Sequence, residues 1–549
     1  MDSLRVAEVV GRTLAALGVD QVFGVVGSGN FHVTNALVAG GARFVATRHE
    51  GGAATMADAY GRVSGRVPAL SLHQGCGLTN ALTGITEAAK SRTPLVVLAA
   101  ETAAGAVRSN FRIDQPALAA AVGAVPERVS SPASAVQDTV RAYRRAVVER
   151  RTVVLNLPLD VQAAEAEDRP APGVTVPALP RPSDAAVAEL ADLLAGARRP
   201  VFLAGRGARH AGREIAELAE RCGALLATSA VARGLFHGDP WSLDVSGGFA
   251  SPLAAELVTG ADVLVGWGCA LNMWTLRHGR LVGPDTAVAQ VDLDADALGA
   301  NQPVRVGIVG DTAQAAAAVA AELAARGHTA TGYRDEPLRA RLAAEVRWRD
   351  VPYADDSDGD RIDPRTLSIA LDDLLPAERV VAVDSGNFMG YPSAYLSVPD
   401  EQGFCFTQAF QSIGLGLATA TGAALARPDR LPVAALGDGG ALMGIAELDT
   451  VVRLGIPMVV VVYDDSAYGA EVHHFGPDGH PLDTVLFPDT DIAAIGRGFG
   501  CTGLTVRKPD DLAELAGWLE GPRDTPVVVD AKVTSRRGSW WLEEAFRGH

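Results

Sequence analysis

Two short turns in the last third of this 549-residue chain carry carboxylates where phosphate chemistry would need them. The first reads Gly437-Asp438-Gly439-Gly440 and follows the apolar run Pro432–Leu436. The second reads Asp464-Asp465-Ser466-Ala467-Tyr468-Gly469 and follows Met458–Tyr463. Gly437, Gly439 and Gly440 let backbone amides approach an anion closely, while Asp438 and Asp465 offer hard oxygen atoms suited to Mg²⁺ held with a phosphate. Alone, the glycine turn is a tight turn and the Asp pair a solvated loop. Together they imply more, because the two carboxylates stand 27 residues apart, room for a βαβ crossover that returns the second beside the first. Ligands of an open parallel sheet bind at the carboxyl ends of its strands, so the pair reads as a magnesium diphosphate site.

Strands must deliver these turns, and the chain supplies them from end to end. Gln21–Val26, Phe44–Thr47, Ala69–Leu72, Leu95–Ala99 and Val153–Leu157 alternate with helical patterns, which predicts a parallel sheet with helical crossovers. In one crossover Val136, Val140, Tyr143 and Val147 recur at helical spacing. Ala163–Ser183, rich in proline and poor in large apolar residues, predicts an extended tether. A second block has strand-like Val201–Ala204, Leu225–Ala227, Val263–Val265 and Val288–Val291, and ends in a helix over Thr312–Arg326. Its lone Gly205-Arg206-Gly207 lacks the full dinucleotide fingerprint. Gly327–Pro364 reads as a second linker, and a third block opens with a helix over Arg365–Leu375 and a strand over Val380–Val383. After Gly440, the positions Leu442, Ile445, Leu448 and Val452 predict one apolar helix face, stopped by Gly455 and Pro457. The expected fold class is α/β, with three doubly wound parallel-sheet domains over residues 1–165, 183–330 and 360–535, and a tail over 536–549 that holds Trp540 and Trp541.

On GDGG and DDSAYG, joined by RHEGGAATMADAYGR in the first block, the chain resembles the thiamine diphosphate (ThDP) dependent enzymes of the pyruvate decarboxylase, acetolactate synthase and benzoylformate decarboxylase group. The resemblance covers essentially the whole chain. It implies an aminopyrimidine-binding first domain, a central Rossmann-like domain and a diphosphate-binding third domain. Asp438 and Asp465 fall on the two side-chain metal positions, Ala467 falls on the residue whose carbonyl completes the metal shell, and Tyr468 joins the cofactor-binding positions. The family usually writes the second pair as two asparagines. Asp465 should still bind Mg²⁺ while altering the charge balance at the diphosphate.

Glu50 falls on the family's cofactor-activating glutamate, which hydrogen-bonds the aminopyrimidine ring and favours its imino tautomer. An apolar setting would raise its pKa as that role needs. Taken alone, Glu50 is also an acid favourable at a helix start. Asp384-Ser385-Gly386-Asn387-Phe388 sits where related enzymes hold the diphosphate, so Gly386, Asn387 and Phe388 are expected cofactor contacts, with a plain β-turn as the alternative. In Gln411-Ser412-Ile413-Gly414-Leu415-Gly416, Ile413 matches the apolar residue that props the cofactor in a bent shape; in any other chain it would be core. FGVVGSGN resembles the benzoylformate decarboxylase segment whose serine meets the substrate carboxylate, and Ser28 takes that place. LHQGCGLTNA puts His73 on that enzyme's histidine position with Gln74 beside it, a hydrogen-bonded core histidine being the alternative. Glu471, followed by His473 and His474, lies on the segment that carries a catalytic glutamate in pyruvate decarboxylase, and could equally face solvent.

Composition bounds the partners. With 48 Lys and Arg against 65 Asp and Glu, the net charge of −17 disfavours contact with nucleic acid or an anionic membrane. Cys76, Cys222, Cys269, Cys405 and Cys501 lack the close pairing of a zinc site and leave one over in any disulfide scheme, which suits a reducing cytoplasm. The first 20 residues read as an amphipathic helix with charges at Arg5, Glu8 and Arg12, without an export signal. The expected function, acetolactate synthase-like, is ThDP- and Mg²⁺-dependent decarboxylation of a 2-oxo acid, with the product released as an aldehyde or ligated to an aldehyde or ketone acceptor. The alternative class is a non-catalytic ThDP- or nucleotide-binding regulatory protein on the same scaffold. FAD is not expected. The family's cofactor lies between the first domain of one subunit and the third of its neighbour, so a homodimer or homotetramer is implied.

Overall fold

The computed structural model describes residues 3–167, 169–330 and 332–545. Three six-stranded, all-parallel sheets form where apolar runs are buried on both faces, which is the condition for a parallel sheet covered by helices. In spatial order the first sheet runs Arg43–Ala46, Gln21–Gly24, Ala69–Leu72, Leu95–Glu101, Thr152–Pro158 and Val125–Arg128. The third runs Phe404–Phe406, Arg379–Val383, Leu431–Gly437, Val459–Asp464, Val527–Lys532 and Thr502–Val506. Numbered along the chain within each sheet, both have the order 2-1-3-4-6-5. The middle sheet, Ser242–Val245, Leu225–Thr228, Pro200–Ala204, Val263–Trp267, Ala287–Asp292 and Val306–Val309, has the order 3-2-1-4-5-6. The expected fold class, three doubly wound α/β domains, is what the chain adopts.

Strand order places the candidate turns. In each outer sheet the winding reverses between strands 1 and 3, and the crevice outside their carboxyl ends is where such folds bind ligands. In the first sheet those ends release Val25–Asn30 and His73–Gly75; in the third they release Asp384 and Asp438. Register aligns Val383 with Ala435 and Gly437 with Tyr463, so Asp384, Asp438 and Asp465 leave three adjacent strands at one edge. At the middle sheet's reversal, a Cβ on Gly205 would sit 2.3 Å from the Gly268 carbonyl oxygen and one on Gly207 would sit 2.8 Å from the Gly268 Cα. Close backbone packing is therefore a sufficient reason for that G-x-G.

Several local expectations are corrected. The segment 327–364 is not a bare linker: it holds the helix Glu336–Glu345, whose Leu342 is buried against the middle domain. Within Ala163–Ser183, Glu165–Glu167 is a strand antiparallel to Ser3–Arg5, and the chain is irregular only beyond it. The helix after Gly440 does not keep one apolar face, because Asp438–Gly444 gives way to a 3₁₀ turn at Ile445–Glu447 before Leu448–Arg453. That phase change leaves Leu442 exposed while Leu448 is buried. In Ala135–Val148 the buried stripe is Ala135, Asp138, Thr139, Ala142 and Ala146, and the larger Val136, Val140, Tyr143 and Val147 flank it half-buried. The strands Val125–Arg128, Ser242–Val245 and Val306–Val309 went unrecognised, being short and alternating or interrupted by polar residues. Among the described residues no helix is long and apolar enough to cross a membrane.

The first and third domains of one chain are locked together by the helices Glu50–Ser64 and Gly416–Ala426, which approach so closely that a Cβ at Gly422 would lie 2.2 Å from the Met56 carbonyl oxygen. At one end of this contact, Arg62 bonds Asp58 at 2.6 Å and Glu87 at 2.7 Å and donates to the Phe406 carbonyl at 2.9 Å. Glu87 in turn accepts the backbone N–H groups of Ala409 and Phe410 at 3.0 and 2.6 Å. Removing one partner of a buried ionic cluster strands the others, so Arg62→Met is expected to cost about 3–5 kcal/mol. Urea unfolding checks this; an unchanged midpoint would show that the cluster does not hold the domains.

Candidate active site

The third-domain candidates converge. A cavity of about 1760 Å³ lies between the three domains, reaching Arg62 of the first and Arg206 and Trp274 of the second, and where it meets the carboxyl edge of the third sheet it is bordered by Gly386, Asn387, Phe388, Ile413, residues 437–440, Asp465, Ala467, Tyr468 and Glu471. Ile413 is half-buried on the cavity wall and is not a core residue, and Glu471 faces the cavity from the helix Gly469–Phe475. Glycine is required around the turns for space: a Cβ at Gly440 would meet the Asp384 carboxylate at 2.4 Å, one at Gly439 the Tyr468 ring at 2.6 Å, and one at Gly469 the Asp465 carboxylate at 2.3 Å.

Asp384, fully buried, ties two of these loops together. Its carboxylate accepts backbone N–H groups from Ser385 at 2.8 Å, Gly414 at 3.0 Å and Leu415 at 3.2 Å, and burial still pushes its pKa up to about 6. Asn387 is clamped by the tail: its side-chain oxygen accepts the Ser539 N–H and its carbonyl accepts the Trp541 indole N–H, both at 3.0 Å. The described part of the expected tail, 536–545, is thus held against the third domain, with Trp541 buried at the start of the helix Trp540–Ala545; 546–549 lie outside the described residues.

Asp438 and Asp465 both border the cavity, and their surroundings disfavour their charged forms. Burial, then Asp465 and Asp464, push Asp438 up to about 8. Burial, then Asp464, push Asp465 up to about 7, against the Ala467 amide, Arg361 and Asn387, which favour its charged form. Among the described residues no group of three or more His, Cys, Asp or Glu side chains gathers to hold a metal. A cation here would therefore draw on two carboxylates, a backbone carbonyl and oxygen atoms from a ligand.

The first-domain candidates also converge, but elsewhere. Ser28 Oγ and His73 Nε2 are 3.4 Å apart, His73 Nδ1 lies 3.2 Å from the Gln74 carbonyl, and the Phe111 ring packs edge-on to His73 at 5.2 Å. Gly27 and Gly29 make room, since a Cβ on either would strike the His73 ring or the Gln74 amide. Glu50 opens the helix Glu50–Ser64, as the helix-start alternative requires, and its Oε2 accepts from Asn80 Nδ2 at 3.0 Å. A Cβ at Gly77 would contact both His73 and Glu50 Oε1, so the four candidates share one surface. None of them borders that cavity, although other first-domain residues such as Arg62 do, and one chain leaves Glu50 half-buried without the apolar enclosure expected for it.

Sequence reasoning missed Glu447. Buried just after the glycine turn's helix, it accepts the N–H groups of His49 at 3.0 Å and Arg48 at 3.1 Å, pinning the residues before Glu50 to the third domain. A contact spanning some 400 positions leaves no trace in one sequence. Asn80 and Phe111 were missed too; only their closeness to the His73 motif could have drawn notice.

Comparison with known proteins bears on this geometry. Residues 4–119 match the thiamine pyrophosphate enzyme N-terminal TPP binding domain, 187–319 the central domain and 384–531 the C-terminal TPP binding domain. The chain is 31% identical over 535 residues to a probable 2-ketoarginine decarboxylase, AruI, of Pseudomonas aeruginosa, covering 93% of this chain and 91% of that one. It is 31% identical over 506 residues to a sulfoacetaldehyde acetyltransferase of Alcaligenes xylosoxydans xylosoxydans (85% and 82% covered). It is 28% identical over 546 residues to an acetolactate synthase large subunit of Parasynechococcus marenigrum (95% and 86% covered). The chain belongs to the thiamine pyrophosphate enzymes and is a thiamine diphosphate-dependent enzyme of the lyase and transferase class.

Proposed function

We propose that this enzyme decarboxylates a 2-oxo acid with ThDP and Mg²⁺, and releases an aldehyde or ligates the product to a second carbonyl compound, at a site shared by two copies of the chain. The observation that carries the reading is the division of the site into two converging halves. The half with the acidic pair and glycine turns fits a metal diphosphate: two carboxylates that repel each other when buried gain a counter-ion, and Gly437, Gly439 and Gly440 bring amides to the anion. The half with Glu50 fits a group that exchanges a ring proton. Exposed Phe31 and Phe111 near the first half, and exposed Phe410 and Met443 near the second, give each an apolar rim for a second subunit to cover. A homodimer is the minimum assembly, and a homotetramer is compatible with it. Five unpaired cysteines, four of them buried, suit the cytoplasm.

In this reading Asp438, Asp465 and the Ala467 carbonyl hold Mg²⁺, while Gly386, Asn387, Phe388 and Tyr468 flank the diphosphate. Ile413, on the cavity wall, would support the cofactor. When bound, ThDP supplies a carbon nucleophile and an electron sink. Glu50 holds the proton at the aminopyrimidine nitrogen, and Ser28 meets the substrate carboxylate with Gln74 behind it. His73 from one subunit and Glu471 from the other transfer protons after CO₂ is lost.

That last assignment is tested by product partition. His73→Phe and Glu471→Gln are each expected to slow aldehyde release by about 10²-fold or more while CO₂ formation falls less, shifting products toward hydroxyketone. The measurement compares CO₂, aldehyde and hydroxyketone from a 2-oxo acid that wild type consumes. Equal rates and equal partition would return His73 to a packed, hydrogen-bonded role.

A further inference from the structure

We infer that Arg361, on the segment that leads into the third sheet, is a positioning residue for the turn Asp464–Ala467. The inference rests on the reading of that turn as a metal site.

The turn needs holding. Ser466 has φ +57°, the left-handed region that a non-glycine residue adopts at a cost, and this kink sits between Asp465 and Ala467, both of which border the cavity. Arg361 spans it: Nη2 donates to Ser466 Oγ at 3.1 Å, and Nη1 donates to the carbonyls of Asp464 at 3.0 Å and Val533 at 3.1 Å. Its own backbone is fixed, because its N–H donates to Asp358 at 3.0 Å and the next residue, Ile362, donates to the Lys532 carbonyl at 2.8 Å. A rigid guanidinium fork suits two acceptors on either side of a kink, which a lysine's single ammonium does not match.

The carboxylate of Asp464 is engaged elsewhere. Lys532 Nζ bonds it at 2.6 Å from beneath the turn, and the Ser466 N–H donates to its other oxygen at 2.9 Å. Lys532, shared with Asp489 at 2.6 Å and Asp530 at 3.1 Å, lies on the carboxylate of Asp464, and Arg361 is hydrogen-bonded across the turn that carries Asp465. Groups that orient metal ligands from outside typically matter 10–100-fold to metal affinity.

The test titrates Mg²⁺ into full-length protein at saturating ThDP and reads the half-effective concentration from thermal shift, beside the melting temperature without metal. Arg361→Met should raise the half-effective Mg²⁺ concentration about tenfold or more, with Arg361→Lys in between and the metal-free melting temperature little changed. Ser466→Ala, which removes one acceptor of the fork and leaves the domain contacts, should move the concentration in the same direction by less. A lower metal-free melting temperature with unchanged Mg²⁺ dependence in Arg361→Met and Ser466→Ala would overturn the inference, as would tighter Mg²⁺ binding. If wild type gives no Mg²⁺ response at all, the metal-site reading itself fails; a normal wild-type response with unaffected variants removes Arg361 alone.

Discussion

Saturating Mg²⁺ and ThDP together are expected to raise the melting temperature of the wild-type chain, and Asp438→Ala to abolish that joint effect. A ligand at a hundredfold excess over its dissociation constant stabilises the native state by about 2.7 kcal/mol, provided the unfolded chain does not bind it. The effect should need both components. Metal alone would find few protein oxygen atoms and keep water in its remaining positions, whereas the diphosphate adds charged oxygen atoms that bind it more strongly. Diphosphate alone meets two buried acids that resist a further negative charge. Asp438 is the more sensitive of the pair, being buried and lying at the reversal point of the third sheet, where the Gly437 and Gly439 backbone cannot substitute for a lost carboxylate. Thermal shift with each component alone and with both is the check. No shift with both at saturation would remove the site assignment.

Much of this site could be read before any coordinates. The GDGG and DDSAYG turns are bland singly and informative as a pair, because each follows an apolar run and their spacing leaves room for a crossover that brings them together. What one sequence hides is the tertiary partner. Glu447 looks like any helix-surface acid until the fold brings it to the amides of Arg48 and His49. Arg361 lies in a stretch rich in Asp and Gly that reads as linker, yet its guanidinium bonds the turn that carries Asp465. The domain order was legible from strand and helix periods, but the shared 2-1-3-4-6-5 winding of the outer sheets was not, since topology depends on which strands pair and not on their sequence. Short strands with polar interruptions, such as Val125–Arg128, went unseen for the reason that burial of neighbours, not local propensity, makes them strands.

Glu50→Gln is expected to keep ThDP binding and slow hydrogen–deuterium exchange at the reactive thiazolium carbon by about 10² to 10⁴-fold, the usual weight of a positioned acid–base group. Glutamine preserves the length of the side chain and its acceptor oxygen for Asn80, so the helix start and the share of the surface held with Gly77 should survive. It cannot exchange a proton with the ring nitrogen. Quenched NMR of the cofactor reads the step without any substrate, and thermal shift on the same sample shows whether cofactor is bound. An unchanged exchange rate with cofactor bound would take Glu50 out of its role.

The central claim, that the two half-sites together decarboxylate a 2-oxo acid, is met most directly by release of labelled CO₂ from carboxyl-labelled 2-oxo acids with alkyl, aromatic and guanidino side chains. The account predicts labelled CO₂ from at least one of them, only when Mg²⁺ and ThDP are both present, and its loss in Asp438→Ala and Glu50→Gln. Protein that binds the cofactor and metal yet releases no label from any acid, or releases it equally without them, would contradict the account.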